Sequence, residues 1–211
     1  MKIGILGSGV VGQALGVGFA RRGNEVVVGT REPGKLHDWA AGTEGRGRAG
    51  SFAEAAEFGE LAVLATRWDG TENALRLAGE ANLAGKVVID VTNPLDFGGG
   101  MPRLAIGHGD SGGEQVQRWL PDARVVKAFN IITAGEMVHP DFPCGPPTMF
   151  VCGQDEGAKQ TVEGICRDFG WEVMDIGGID GARLLEPLAM LWITHGIRSG
   201  AWSHAFKLLR K

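Results

Sequence analysis

The sequence predicts an α/β fold: a doubly wound, parallel sheet with helices on both faces. Three observations carry that reading. Short apolar runs alternate with helical stretches along most of the chain. The first run enters a glycine-rich turn, Gly7-Ser8-Gly9-Val10-Val11-Gly12, and a helical stretch follows at once. The remaining apolar runs are short and unbroken, as expected of strands buried on both faces.

Taken in order, Ile3 to Leu6 is the first strand, and Glu25 to Val28 the second, after the helix that the turn opens. Phe52 to Phe58 reads as a helix capped by Ser51. Leu61 to Ala65 is a buried strand ending in Thr66-Arg67-Trp68, Asn73 to Ala81 is helical, and Val87 to Val91 is a strand ending in Thr92-Asn93-Pro94. Residues 98–113 carry seven glycines and read as a long loop, a kind that is often functional. Glu114 to Leu120 is a short helix and Val125 to Phe129 a strand. Strands at Met149 to Cys152 and Trp171 to Ile176 enclose a helix from Asp155 to Phe169, and Ala182 to Leu209 is mainly helical. The expected organisation is a Rossmann-type domain over 1–180 and a helical C-terminal segment over 181–211.

The opening turn has a mechanical meaning. Gly7 permits a tight turn, Gly9 lets the backbone approach a pyrophosphate, and Gly12 lets the helix pack closely on the sheet. The helix start, with its unpaired amides and its dipole, favours the phosphate charge. A lone glycine motif among 35 glycines says little. Here a strand precedes it, a helix follows, and a second strand arrives at the right distance, which makes the turn a dinucleotide site. The end of the second strand selects the version. An acid there accepts the ribose hydroxyls of NAD, but this chain has Thr30 and Arg31. An arginine fork suits the 2′-phosphate of NADP, and Lys35 adds a second cation. Glu32 works against this, because a shift of one residue restores an acid near the ribose.

Composition bounds the alternatives. The chain has 211 residues, 44% hydrophobic and 22% charged, with a formal net charge of −4. These are the values of an ordinary globular protein with no overall attraction for nucleic acid. Three cysteines in no metal-type spacing suggest a reducing, cytoplasmic setting. No apolar run reaches the roughly 20 residues of a membrane span, and the first apolar run belongs to the glycine-turn strand rather than to a signal peptide.

Several motifs carry a family resemblance: GSGVVG, VVVGTR, VIDVTNP, VVKAFN and FVCGQDEGAK. In this order they resemble the NADP-dependent reductases of the coenzyme F420 type. They are similar also to the cytosolic reductase domain of the six-transmembrane ferric reductases. The resemblance implies pyrophosphate binding at Gly7 to Gly12 and 2′-phosphate binding at Thr30 and Arg31. It implies that Thr66, Arg67, Trp68, Asn93, Pro94, Ala128 and Asn130 frame the nicotinamide and a second cofactor, F420 or a flavin. Asn130 and Asn93-Pro94 match the ferric-reductase-like branch more closely, which leaves the electron acceptor open.

The chain contains no tyrosine, so a Tyr-Lys reduction dyad is impossible. Transfer between a nicotinamide and a flavin or deazaflavin asks little of side chains, so no catalytic acid or base and no metal ligand is assigned. An imine reductase needs a proton donor, for which Asp96 or His108 is available. A non-catalytic NADP sensor is the reading of a different class. His195 reads as a core or interface histidine, Asp90 and Asp96 as helix caps or groups that position a ring, and Lys127 as a strand-edge cation or one that reaches a carboxylate or phosphate. Ser111-Gly112-Gly113 offers either a second anion site or a cap. The final helix, with Leu184, Leu185, Leu188, Leu191 and Trp192 at helical spacing and further apolar faces, calls for cover by a second subunit; a homodimer is expected.

Overall fold

A computed structural model describes residues 1–211. The chain begins with β1 (Lys2–Leu6), α1 (Val10–Arg21), β2 (Glu25–Gly29), α2 (His37–Ala41), β3 (Gly47–Gly50), α3 (Phe52–Phe58) and β4 (Leu61–Leu64). It continues with α4 (Thr71–Ala78), the short α5 (Glu80–Leu83), β5 (Val87–Asp90), and a small hairpin of β6 (Leu95–Asp96) and β7 (Arg103–Leu104). Next come α6 (Gly112–Trp119), β8 (Arg124–Lys127), β9 (Thr148–Gly153), α7 (Glu156–Asp168), β10 (Glu172–Asp175) and α8 (Ala182–Ser199).

Eight strands form one sheet in the order β10-β9-β8-β5-β4-β1-β2-β3. The apolar strands bury both faces, as their unbroken hydrophobicity predicts. Ile3, Ile5, Val26, Val28, Val63 and Ile89 face α1 and α7, where Leu15, Phe19 and Val162 complete one core. The alternate positions Leu6, Val27, Leu64 and Val88 face Ala55, Leu75 and Val116 from α3, α4 and α6. Each such side chain contributes roughly 1.5–3 kcal/mol by burial. The Rossmann-type reading of the sheet is correct in class.

The structure corrects several details. The sheet is not wholly parallel: β9 runs antiparallel to β8, and β10 pairs parallel with β9. The segment from β8 to β9 holds only a 3-10 turn, Ala134–Glu136, and no crossover helix, so the chain returns in the opposite direction. The helix expected over Asn73 to Ala81 instead spans Thr71–Ala78, ended by Gly79 at φ 81°. The final helix stops at Ser199, where Gly200 takes a left-handed cap at φ 70°. The residues beyond it run as an extended tail, in which the Phe206 carbonyl accepts from the Thr148 amide at 2.9 Å. The glycine-rich loop contributes β7, which pairs with β6 just before it in a hairpin closed by an Asp96–Arg103 ion pair at 2.7 Å. Asp96 thus closes a hairpin and caps no helix. Along α8, Leu185, Ala189 and Trp192 are buried, whereas Leu184 and Leu191 are 68% and 59% exposed. His195 lies on the surface, 4.6 Å edge-on from the His204 ring.

Candidate nucleotide and ring-binding groove

Strand order sets the place of the site. From β1 the sheet grows one way through β2 and β3 and the other way through β4, β5 and β8, so the C-terminal ends of β1 and β4 flank the switch point. A groove runs along those ends. Its first part is lined by Gly7 to Val11, Thr30, Arg31, Glu32 and Lys35. Its second part is lined by Ala65 to Asp69, Val91 to Asn93, Leu95 and Phe97, and Val11, Ala65, Thr66, Arg67 and Asp69 belong to both.

The three glycines of the turn differ in what they answer to. Gly7 holds φ 129°, and a Cβ there strikes the Ala65 carbonyl. A Cβ on Gly12 strikes the Gly7 carbonyl, so α1 sits directly on the turn. Gly9 has φ −72° and ψ 178°, open to any residue, and nothing lies within 4 Å of a Cβ built on it. Nothing in the protein requires glycine there. The space above Gly9 is a cradle that a side chain fills, at the uncapped start of α1 whose first-turn amides lack intrahelical partners. This fits a bound pyrophosphate.

At the end of β2, the Ser8 hydroxyl donates to Thr30 Oγ1 at 2.9 Å, and the Glu32 amide donates to the same oxygen at 3.2 Å. Lys35 pairs with Glu32 at 2.6 Å, with both side chains well exposed. The Lys35 hydrogen bond and charge, with a weaker contribution from Arg31, hold the Glu32 carboxyl below its ordinary value. Arg31 forms no salt bridge and lines the groove with its charge free.

Toward the other end, Thr66 Oγ1 and Thr71 Oγ1 lie 2.9 Å apart. The Arg67 guanidinium sits 5.7 Å from the Phe97 ring centroid, and Trp68 stacks on Trp119 at 5.5 Å. Behind this wall is a fully buried charged cluster. Lys127 Nζ lies 2.8 Å from Asp90 Oδ2 and 3.1 Å from Glu186 Oε1, and it donates to the Thr92 carbonyl at 2.7 Å. Burial pulls the Lys127 ammonium down, but the Asp90 and Glu186 carboxylates outweigh it and the net shift is upward. Glu186 also accepts from the Gly112 and Gly113 amides at 2.9 and 3.0 Å. The anion at this helix start is therefore the protein's own carboxylate. Asn93 and Asn130 form a reciprocal pair: Asn93 Nδ2 donates to the Asn130 carbonyl at 2.7 Å, and Asn130 Nδ2 to Asn93 Oδ1 at 3.0 Å.

Most residues expected at a site are thus gathered along one groove. Pro94, Ala128 and Asn130 do not line it. The Ala128 side chain is in the core, Pro94 packs by Gly112, and Asn130 reaches the groove only through Asn93. His108, at φ 60°, stays on the exposed loop. Lys127 is not an edge cation but the centre of the cluster, and Asp90 is its partner rather than a helix cap. The sequence allows Lys127 to reach a carboxylate; the residue missed was Glu186, the one acid in an otherwise apolar stretch of α8. Phe97 was also missed.

Fold and groove together define a dinucleotide-dependent α/β oxidoreductase with a free cation, Arg31, at the end of β2. The family described as coenzyme F420-dependent NADP oxidoreductase matches residues 2–94. A candidate F420-dependent NADP-reductase from Arthrobacter sp. FB24, solved at 1.70 Å, is 39% identical, with 100% of both chains covered and a TM-score of 0.94. This chain belongs to that family and is an NADP-dependent oxidoreductase. The F420-dependent NADP reductase of Methanothermobacter marburgensis is 29% identical over 211 residues, covering 94% of each chain. The rat metalloreductase STEAP3 is 32% identical over 196 residues, 90% of this chain, which spans only 37% of that protein's length. No helix is long and apolar enough to cross a membrane.

Proposed function

We propose that this protein exchanges hydride between NADPH and coenzyme F420, with a flavin as the related acceptor. The observation that carries the acceptor class is the lining of the ring end: Val11, Trp68, Val91, Leu95 and Phe97 with Thr66 and Asn93, no histidine or cysteine, and a single carboxylate, Asp69, that is exposed and paired with Arg67 at 3.4 Å. Such a wall suits a flat ring system that accepts hydride without a protein acid, and it suits an imine or carbonyl poorly. The Methanothermobacter relative, aligned over 94% of each chain, adds weight to F420.

In this reading Gly7 to Gly12 and the start of α1 hold the pyrophosphate, while Thr30, Arg31 and Lys35 hold the 2′-phosphate. Thr66, Arg67, Trp68 and Asn93 frame the rings, and Asn130 braces Asn93. NADPH, when bound, supplies the hydride. The protein's work is to bind, to align two rings near 3–3.5 Å, and to exclude water. Residues 181–211 form the wall behind the cleft. Leu184 and Leu191, exposed on α8, supply the contact of a homodimer.

Anaerobic NADPH oxidation tests the reading, with F420, free flavins and ferric chelates as parallel acceptors. Oxidation with F420 far above the rest is expected. Ferric chelates as the preferred acceptor support the metalloreductase-like alternative. NADPH binding without oxidation by any acceptor leaves a sensor and sinks the proposal.

A further inference from the structure

The Asp90–Lys127–Glu186 cluster has no part in holding a ligand, and stability alone does not account for it. All three side chains are buried to within 1%, and apolar replacements of buried ion clusters are often neutral or stabilising. Its formal charge is −1, offset by the Gly112 and Gly113 amides at the start of α6. Lys127 Nζ stands within 3.1 Å of three oxygens: it donates to the Thr92 carbonyl at 2.7 Å and pairs by charge with Asp90 Oδ2 and Glu186 Oε1, while Asp90 Oδ2 has no hydrogen-bond donor of its own.

What the cluster fixes is the turn after β5. Asp90 Oδ1 accepts from the Thr92 amide at 2.9 Å and from the Thr92 hydroxyl at 2.7 Å, while Lys127 takes the Thr92 carbonyl. Every polar atom of Thr92 is therefore held. Val91, Thr92 and Asn93 are the part of this turn that lines the ring end of the groove. Asn93 is then locked to Asn130, whose Nδ2 also donates to the Leu185 carbonyl at 3.1 Å. The cluster joins β5, β8, α6 and α8 at one point, directly behind the groove wall. Around the Lys127 stem there is no slack, since a Cβ on Gly113 would meet Lys127 Cε at 3.0 Å.

We propose that Lys127 is a positioning residue for hydride transfer: it fixes the Thr92–Asn93 turn, and through it the wall against which the nicotinamide lies. The inference rests on the hydride-transfer reading above. It goes beyond that reading in assigning turnover, as distinct from nucleotide affinity, to a residue that touches no ligand. A buried ammonium held between two carboxylates and a carbonyl supplies rigidity that a solvated or apolar side chain does not, and small misplacements of reacting rings cost rate steeply.

Two variants and one measurement test it. Lys127→Met leaves two buried carboxylates unpaired, so folding is at risk. The combined Asp90→Asn, Lys127→Met, Glu186→Gln variant removes the charges together and keeps the fold within reach. In either variant that folds, kcat for NADPH oxidation with F420 should fall at least about tenfold, with the NADPH dissociation constant changed less than about threefold. The deuterium isotope effect from NADPH labelled at C4 should rise, as hydride transfer becomes the slow step. A purely structural role predicts a lowered melting temperature with kcat and isotope effect unchanged in the folded fraction; that result overturns the proposal. The unsubstituted protein supplies an independent arm. Its Thr92 amide should exchange with solvent as slowly as the amides of β5, and fast exchange overturns the proposal whatever the variants do. Wild-type turnover separates the two levels. No oxidation with any acceptor sinks the hydride-transfer reading, whereas normal kcat in the charge-free variant sinks only the role of Lys127.

Discussion

The two ends of the groove are built on opposite principles. At the nucleotide end the charged groups are exposed and locally encoded: Arg31 and Lys35 stand beside half-buried Ser8 and buried Thr30 within one βαβ unit, with Lys35 tied only to exposed Glu32. Behind the ring end they are buried and contributed by four distant elements, with Asp90, Lys127 and Glu186 almost fully excluded from solvent, while Arg67 and Asp69 on the wall itself stay exposed. The first arrangement recognises charge with groups that move cheaply, since exposed pairs contribute roughly 0–1 kcal/mol. The second holds geometry, because breaking one buried partner strands the others. Affinity should therefore be set at one end and turnover at the other.

The largest effect that can break this contrast is at Gly9. Gly9→Val should weaken NADPH binding by about a hundredfold or more, which is roughly 2.7 kcal/mol. The melting temperature should stay near that of the unsubstituted protein, because nothing lies within 4 Å of the new Cβ. Titration with NADPH alongside thermal unfolding checks both halves. Lost stability with intact affinity would show that the cradle serves the fold and not a ligand.

A smaller effect concerns pH. The folded state holds the Lys127 proton more tightly than the unfolded chain does, since its value is raised above the ordinary 10.5. The stabilisation is thus complete below pH 10.5 and is lost as pH climbs through the higher folded value. Denaturant midpoints should show no loss attributable to this cluster between pH 7 and 10, and a decline above that range which the charge-free cluster variant lacks. A decline of the same steepness in both proteins would place its cause elsewhere.

The smallest effect sharpens the nucleotide end. Glu32→Gln releases Lys35 for an incoming phosphate and should tighten NADPH binding about threefold, in keeping with the modest worth of an exposed pair. NADH binding should weaken or hold, since the carboxylate that serves a free ribose hydroxyl is gone. Tighter NADH binding would contradict this assignment.

The same contrast explains what the sequence revealed. The nucleotide end was legible because its parts lie within some thirty residues and each has a local signature: the glycine spacing, an apolar strand, a hydroxyl and an arginine at the strand end. The ring end was only partly legible. Thr66, Trp68 and Asn93 follow from strand ends, but the cluster joins Asp90, Lys127 and Glu186 across three elements, and no local pattern links them. Ser111-Gly112-Gly113 allows either a second anion site or a cap: Ser111 caps α6, accepting from the Glu114 amide at 3.2 Å, and the Gly112 and Gly113 amides go to Glu186. β3, Gly47–Gly50, escaped notice because GRAG has no apolar run. The end of α8 was visible in Ser199-Gly200, but the apolar residues after it masked the stop. Trp202 and Phe206 serve instead in a tail packed on Trp192 and Thr148.

In the proposed function the groove carries NADP with its 2′-phosphate against Thr30 and Arg31. The most direct test is the ratio of NADPH to NADH affinity, measured by titration in the unsubstituted protein and in Arg31→Ala. One charge-assisted contact contributes roughly 1.5–3 kcal/mol, so NADPH affinity should fall about tenfold to a hundredfold while NADH changes little. Equal losses for the two nucleotides, or no loss for either, would contradict the 2′-phosphate role of Arg31.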